Sequence, residues 1–302
     1  MFYTELMGNN QLFPPFPSFP LTVKGLDPRQ IQVLALDLDG TCLGLNASLS
    51  GRMIRAIRRC IDRGVRVIIC TGRSLEAAEP YRQALGAEGP MVYFNGAEVV
   101  DMPSGKVLRS TLLRVEVADY CVDLSRSRGV YYQVYFPACP EHPRGILLAE
   151  QQRQETEQYR RHTGVQAVIG DLKQALAQPG LAGCVKGMFI GEPAFHEELR
   201  RLLTERFGRS IYIAQTSPTY LELMDAGVSK GIGLGHALAY LGLQEALVMA
   251  CGDEENDLPL FAAASFAAAP ATAKASVRAA ADILFGPHTE DGLAEFLERL
   301  FE

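Results

Sequence analysis

The chain has 302 residues, of which 48 % are hydrophobic and 21 % charged, with a formal net charge of −6. That is enough for one large domain or two ordinary ones with real cores. The balance offers no broad basic field for a polyanionic backbone, which excludes nucleic acid as a partner class and leaves any phosphate in a ligand to a few local groups.

No stretch approaches the roughly 20 apolar residues of a spanning helix, and the N-terminus lacks the basic-then-apolar layout of a secretory signal. The expected location is the cytoplasm, with no membrane partner. Seven cysteines, at positions 42, 60, 70, 121, 139, 184 and 251, are odd in number and show no CxxC. Reduced structural thiols are expected rather than a disulfide or zinc framework.

Residues 1–29 read as an extension. "QLFPPFPSFP" alternates Phe with Pro, has neither helical nor strand period, and lacks ladder N–H groups at its prolines. An arm packed on the body, a partly disordered segment and a partner-binding peptide all suit it.

From Ile31 the pattern becomes strand, helix, strand. "IQVLALDL" is a near-continuous apolar run; "GRMIRAIRRCIDRG" places Ile54, Ile57 and Ile61 on one helical face with Gly64 as its stop; "VRVIIC" is a second buried run. A strand "PMVYF" leads to Asn95-Gly96, and another, "EALVMAC", comes much later before "GDEEND". Buried strands alternating with helices predict a parallel sheet wrapped on both faces, with its ligand site outside the carboxyl ends of the strands.

Between about Ala97 and Met224 the strands are shorter and more alternating, as in "AEVVD", "KVLRS", "YYQVYF", "VKGMFIG", "SIYIAQ" and "YLELM", with amphipathic helices between them. The expected organisation is an α/β core over 30–96 and 225–302 with an α+β module, 97–224, inserted into it. The Ala-rich "FAAASFAAAPATAKASVRAAA" reads as helix, short strand and helix.

Four polar groups fall at or near strand ends: Asp37 with Asp39; Thr71-Gly72-Arg73; Lys230; and Asp253 with Asn256 and Asp257. Taken singly each has an ordinary reading. A DxD can be a solvated turn, "TGR" a strand exit, "GDEEND" an acidic turn capping the next helix, and Lys230 a surface lysine. Together, and in this order, they supply what a magnesium-assisted phosphoryl transfer needs. Mg2+ takes oxygen ligands from one or two carboxylates plus substrate phosphate, here Asp37 and Asp253. An aspartate can attack phosphorus once metal and lysine neutralise charge, which suits Asp37. Asp39 would give a proton to the leaving oxygen and later take one from water. Thr71 and the amides around it, Gly72 included, would bind phosphoryl oxygens while Lys230 balances the charge of the transition state. Arg73, Asn95 with Gly96, and Asn256 are candidate contacts to the substrate, and Asp257 stands beside the metal ligands. The five histidines, at 142, 162, 196, 236 and 288, show no ligand spacing and are expected in surface or structural roles.

The chain resembles the haloacid dehalogenase superfamily, in the Cof-type branch with a type IIB cap. The resemblance rests on "LALDLDGT", "IICTGR", "GVSKG" and "CGDEENDLPLF", with "YFNGA" and "SPTYLEL" at the cap borders, and covers nearly everything from residue 30 onward. It implies a Rossmann-like core with a mobile inserted α+β cap that closes over a small ligand. It also implies Asp37 as nucleophile, Asp39 as acid and base, Thr71 as phosphate ligand, Lys230 as charge-stabilising lysine, and Mg2+ held by Asp37, the Asp39 backbone carbonyl and Asp253. The expected function is hydrolysis of small phosphomonoesters such as sugar phosphates through an aspartyl-phosphate. A phosphomutase using the same intermediate and a non-catalytic metabolite-binding protein are the alternatives. The chain departs from the family where relatives commonly carry Gly-Asn and it has "AAAPAT", which puts a polar contact at that edge of the site in question.

Overall fold

A computed structural model describes residues 23–138, 142, 144–179 and 181–302. Most of the Phe/Pro-rich extension, residues 1–22, and Cys139 lie outside the described residues. The other six cysteines are all buried and free.

The chain enters the core along β1 (Val33–Leu36), followed by α1 (Gly51–Asp62), β2 (Arg66–Ile69), α2 (Leu75–Leu85) and β3 (Gly89–Tyr93). Then come β4 (Glu98–Met102), β5 (Lys106–Ser110), β6 (Leu113–Arg114), α3 (Val115–Arg128), β7 (Tyr131–Phe136), β8 (Ile146–Ala149), α4 (Gln154–Thr163) and β9 (Val168–Ile169). Next are α5 (Leu172–Leu176), β10 (Gly183–Cys184), β11 (Lys186–Ile190), α6 (Pro193–Phe207), β12 (Ile211–Ser217) and β13 (Tyr220–Asp225). The chain ends through α7 (Lys230–Leu241), β14 (Val248–Cys251), α8 (Leu258–Ala262), β15 (Phe266–Pro270), α9 (Ala275–Ala280), β16 (Ile283–Phe285) and α10 (Gly292–Leu300).

Five of these strands form a sheet in the order β16-β15-β14-β1-β2, every pair parallel. β1 is an inner strand, between β14 and β2, and is buried on both faces. Its alternation puts Leu34 and Leu36 in one core with Met53, Ile57, Leu293 and Leu297, and Val33 and Ala35 in another with Leu234, Leu238 and Leu260. Burying a leucine this completely contributes about 2 kcal/mol. The sequence-predicted face of α1 is shifted: Met53, Ala56, Ile57 and Cys60 are buried, while Ile54 and Ile61 are only partly so. Ser50 starts this helix by accepting from the Met53 amide at 3.0 Å.

One expectation about sheet membership is corrected. β3 touches β2's exit through a single parallel bridge, Cys70 to Val92, and its own ladder runs antiparallel to β4, which pairs antiparallel with β5. "AEVVD" and "KVLRS" therefore belong to a three-stranded extension of the core edge. They take no part in the insert's six-stranded sheet, whose order is β12-β13-β11-β7-β8-β9. That sheet is antiparallel except for β8 with β9. Its outer face packs on α3, α5 and α6 through Val117, Cys121, Leu176, Leu199 and Leu203.

Helix α7 is pressed against its neighbours. A Cβ on Gly231 would lie 2.1 Å from the Pro259 carbonyl oxygen, and one on Gly96, where φ is +99°, would lie 2.1 Å from the Ser229 carbonyl oxygen. In an ordinary helix interior, Gly→Ala stabilises by about 1 kcal/mol. Gly231→Ala should do the reverse, lowering stability by roughly 2 kcal/mol, seen as a lower urea midpoint with an unchanged slope. A raised midpoint would show that α7 has room at this position.

Candidate active site

β1 ends at Leu36, and its period of two, carried one residue on, aims Asp37 toward the face covered by α7. The Asp37 amide continues the ladder to the Cys251 carbonyl at 2.9 Å. Lys230 is the first residue of α7, whose cap is Ser229, with its hydroxyl accepting from the Ile232 amide. The Lys230 side chain is 1 % exposed, and its Nζ donates to Asp37 Oδ1 and Asp257 Oδ1, each at 2.7 Å. Burial works against this ammonium and the two carboxylates outweigh it, so its pKa is raised.

Asp257 is fully buried, and its second oxygen accepts from the amides of Asp253 at 3.0 Å and Glu254 at 3.1 Å. Both of its oxygens are occupied in holding Lys230 and the 253–254 turn. Asp253 accepts from Thr41 Oγ1 at 3.0 Å through Oδ1. Gly40 lets that carboxylate come close, because a Cβ there would lie 2.1 Å from Asp253 Oδ2.

Oxygens of Asp37, Asp253 and Asp257 lie within 4.8 Å of one another. Three carboxylates around one ammonium leave two negative charges in surplus. Asp37 Oδ2 and Asp253 Oδ2 accept no hydrogen bond among the described residues. Burial raises both acids, Asp37 strongly and Asp253 to about 7, and the neighbouring carboxylates add to the effect. Two free hard oxygens and a twofold charge deficit fit a divalent cation between Asp37 and Asp253.

Asp39 stands at the mouth, with its side chain 54 % exposed, and is bound bidentately by Arg73, Nε to Oδ2 at 2.7 Å and a terminal nitrogen to Oδ1 at 2.6 Å. Arg73, expected to touch substrate, is thus engaged with Asp39, and its guanidinium also lies over the Tyr81 ring at 5.1 Å. Thr71 is fully buried where β2 ends, and its hydroxyl accepts from the Arg73 amide at 3.1 Å. Gly72 packs on the Asn95 side chain, whose Oδ1 accepts from Asn256 Nδ2 at 2.9 Å. That places Thr71, Asn95 and Asn256 in one connected strip, with Asn95 Nδ2 and Asn256 Oδ1 buried and without a hydrogen-bond partner among the described residues. Gly96 lies behind this strip, against Ser229. The substituted "AAAPAT" segment begins within β15, whose Ala268 carbonyl accepts from the Gly252 amide at 3.2 Å, so backbone supports this edge of the site.

The insert supplies a pair that the motif reading passed over. Lys186 on β11, 2 % exposed, donates to Glu222 Oε1 on β13 at 2.9 Å, and its Nζ lies 3.5 Å from the Gly72 carbonyl. The same ammonium lies 5.4 Å from the rings of Phe94 and Tyr135. The signal was present in "VKGMFIG" and "YLELM", where a lone charge interrupts an apolar strand and has to be partnered if buried. A cavity of about 410 Å³ opens beside Asp39, between the 39–47 loop and Arg161 and His162 at the end of α4. His162 lies on the wall of this cavity, its ring 5.8 Å from that of Tyr220.

The profile described as haloacid dehalogenase-like hydrolase matches residues 34–297, and the chain belongs to that family. It is 28 % identical over 277 residues to the 5-amino-6-(5-phospho-D-ribitylamino)uracil phosphatase YitU of Bacillus subtilis, covering 89 % of this chain and 97 % of that one. It is 27 % identical to the pyridoxal phosphate phosphatase YbhA of Escherichia coli, over 88 % of this chain and 97 % of the relative. A haloacid dehalogenase-like hydrolase from Bacteroides thetaiotaomicron shares the fold with a TM-score of 0.80 at 24 % identity, covering 90 % of this chain and all of the other.

Asp253 holds its proton to about pH 7 in the cation-free folded chain but only to about 4 when unfolded. Between those values the folded state binds more protons, so stability falls as pH rises through that window. A divalent cation binds the ionised form and should reverse the trend, raising stability at pH 7 by about 2.7 kcal/mol at a hundredfold excess over its dissociation constant. Thermal melts across pH 4 to 8, with chelator and with cation, check this; a flat profile unaffected by cation would dismiss the site.

Proposed function

We propose that the chain is a Mg2+-dependent phosphatase that hydrolyses small phosphomonoesters, sugar phosphates or related metabolites, through an aspartyl-phosphate on Asp37. The observation that carries this is Lys230 clamped between Asp37 and Asp257, with Asp253 beside them and Asp39 at the mouth. Two relatives of nearly full coverage named as phosphatases support the reaction class. A cytoplasmic location goes with it, supported by six buried free thiols. Among the described residues, no helix is long and apolar enough to cross a membrane.

In this reading Asp37, the Asp39 carbonyl and Asp253 would hold Mg2+, which would supply positive charge to offset the phosphoryl group and the ionised carboxylates. Lys230 donates to Asp37 Oδ1 and thereby fixes the orientation of the carboxylate that attacks. One Asp37 oxygen forms a bond to phosphorus as the ester P–O bond breaks. Asp39, protonated once its Arg73 pairing opens, gives that proton to the departing oxygen, so the alcohol leaves neutral. Asp39 then takes a proton from water, whose oxygen attacks the same phosphorus; the acyl phosphate breaks, freeing inorganic phosphate and restoring Asp37. The Thr71 hydroxyl, the Gly72 amide and the unpartnered Asn95 Nδ2 are donors for the phosphoryl oxygens. Asn256 positions Asn95 through its amide.

Asp37→Asn removes the nucleophile and should reduce phosphate release from sugar phosphates by at least about a thousandfold, while retaining the fold. Release measured across a panel of phosphomonoesters, with and without Mg2+, tests this. Transfer of the phosphoryl group to a second sugar hydroxyl with no free phosphate would mark a mutase, and tight metabolite binding without turnover would mark a binding protein.

A further inference from the structure

The cavity beside Asp39 lies where the leaving group must go. Asp39 serves the departing oxygen, so the remaining atoms of the alcohol extend from its side of the site into the space between the 39–47 loop and α4. At about 410 Å³ it has room for a small metabolite.

Its charge is unbalanced. Asp39 contributes no net charge, being bound bidentately by Arg73. On the same helix as Arg161 but off the cavity wall, Glu157 accepts from Arg160 at 2.6 and 2.9 Å and lies 3.4 Å from Arg161. Two guanidiniums share one carboxylate, which leaves one positive charge in surplus. Arg160 takes the two close bonds; Arg161, with a side chain 71 % exposed, is the member that lines the cavity. Beside it, the His162 ring packs 5.8 Å from that of Tyr220, a buried residue of β13, which anchors the cavity wall to the insert's sheet.

We propose that this cavity receives the leaving group and that Arg161 selects phosphomonoesters whose leaving group carries a second anion, a carboxylate or a further phosphate. The inference rests on the phosphatase reading and narrows its substrate class. A neutral sugar leaves the Arg161 charge hydrated, whereas an anion gains a charge-assisted, potentially bidentate hydrogen bond to the guanidinium.

The test compares kcat/KM for two matched pairs, 3-phosphoglycerate against glycerol 3-phosphate and glucose 1,6-bisphosphate against glucose 6-phosphate. The wild type should favour the anionic member of at least one pair, and which pair it is separates carboxylate from phosphate recognition. Arg161→Gln should lower that preference roughly tenfold, Arg161→Lys should keep most of it, and Arg161→Glu should invert it. Arg66→Gln, the same charge change at the far end of β2, should leave the preference where it was. No preference in the wild type, or one that survives Arg161→Gln, overturns the inference while hydrolysis of the neutral esters upholds the phosphatase reading. No hydrolysis of any of the four overturns both.

Discussion

The structure depends on one buried ammonium. Removing a charge from water costs several kcal/mol, and the Lys230 side chain, 1 % exposed, is held there only because two carboxylates meet it at 2.7 Å. Asp257 in turn holds the 253–254 amides, and Asp253 is held by Thr41. The ends of β1 and β14 and the start of α7 are therefore tied into one charge network, and no one of them can shift without exposing an unpaired charge. The close packing of α7 follows from the same demand, since Nζ reaches both partners only if the helix start lies against the sheet.

Much of this was legible in the sequence, for physical reasons that differ from residue to residue. Asp37, Thr71 and Asp253 follow apolar runs that can only be buried parallel strands, and the carboxyl ends of such strands converge. Lys230 was readable only in company with the other three groups and through the "GVSKG" of the family resemblance. The partition of β4 and β5 was not legible, because a short alternating strand looks the same on either side of the boundary and only the pairing with β3 decides. The Lys186–Glu222 pair was readable in principle, by the argument that exposed Asp37. Arg161 and His162 carried no signal: they end a polar helix, and their importance comes from where the insert places that helix.

The two bodies meet through chemistry as well as through packing. The insert's Lys186 approaches the Gly72 carbonyl, and Tyr135 meets Phe94 edge-on with ring centroids 5.0 Å apart. Gly72 and Phe94 flank the strip that contains Thr71 and Asn95. A charged side chain of the insert thus lies against the backbone that carries the candidate phosphate donors. It is held by Glu222, whose second oxygen has no hydrogen-bond partner among the described residues.

The chain leaves the insert through β13, which ends at Asp225, and α7 begins at Lys230 with only residues 226–229 between them. Five peptide steps span at most about 18 Å when fully extended. Lys230 is thus the first helical residue after a short leash, and that leash limits how far the end of β13 can travel from its charge. Lengthening or shortening the segment 226–229 would reset that radius without altering any residue that touches the substrate.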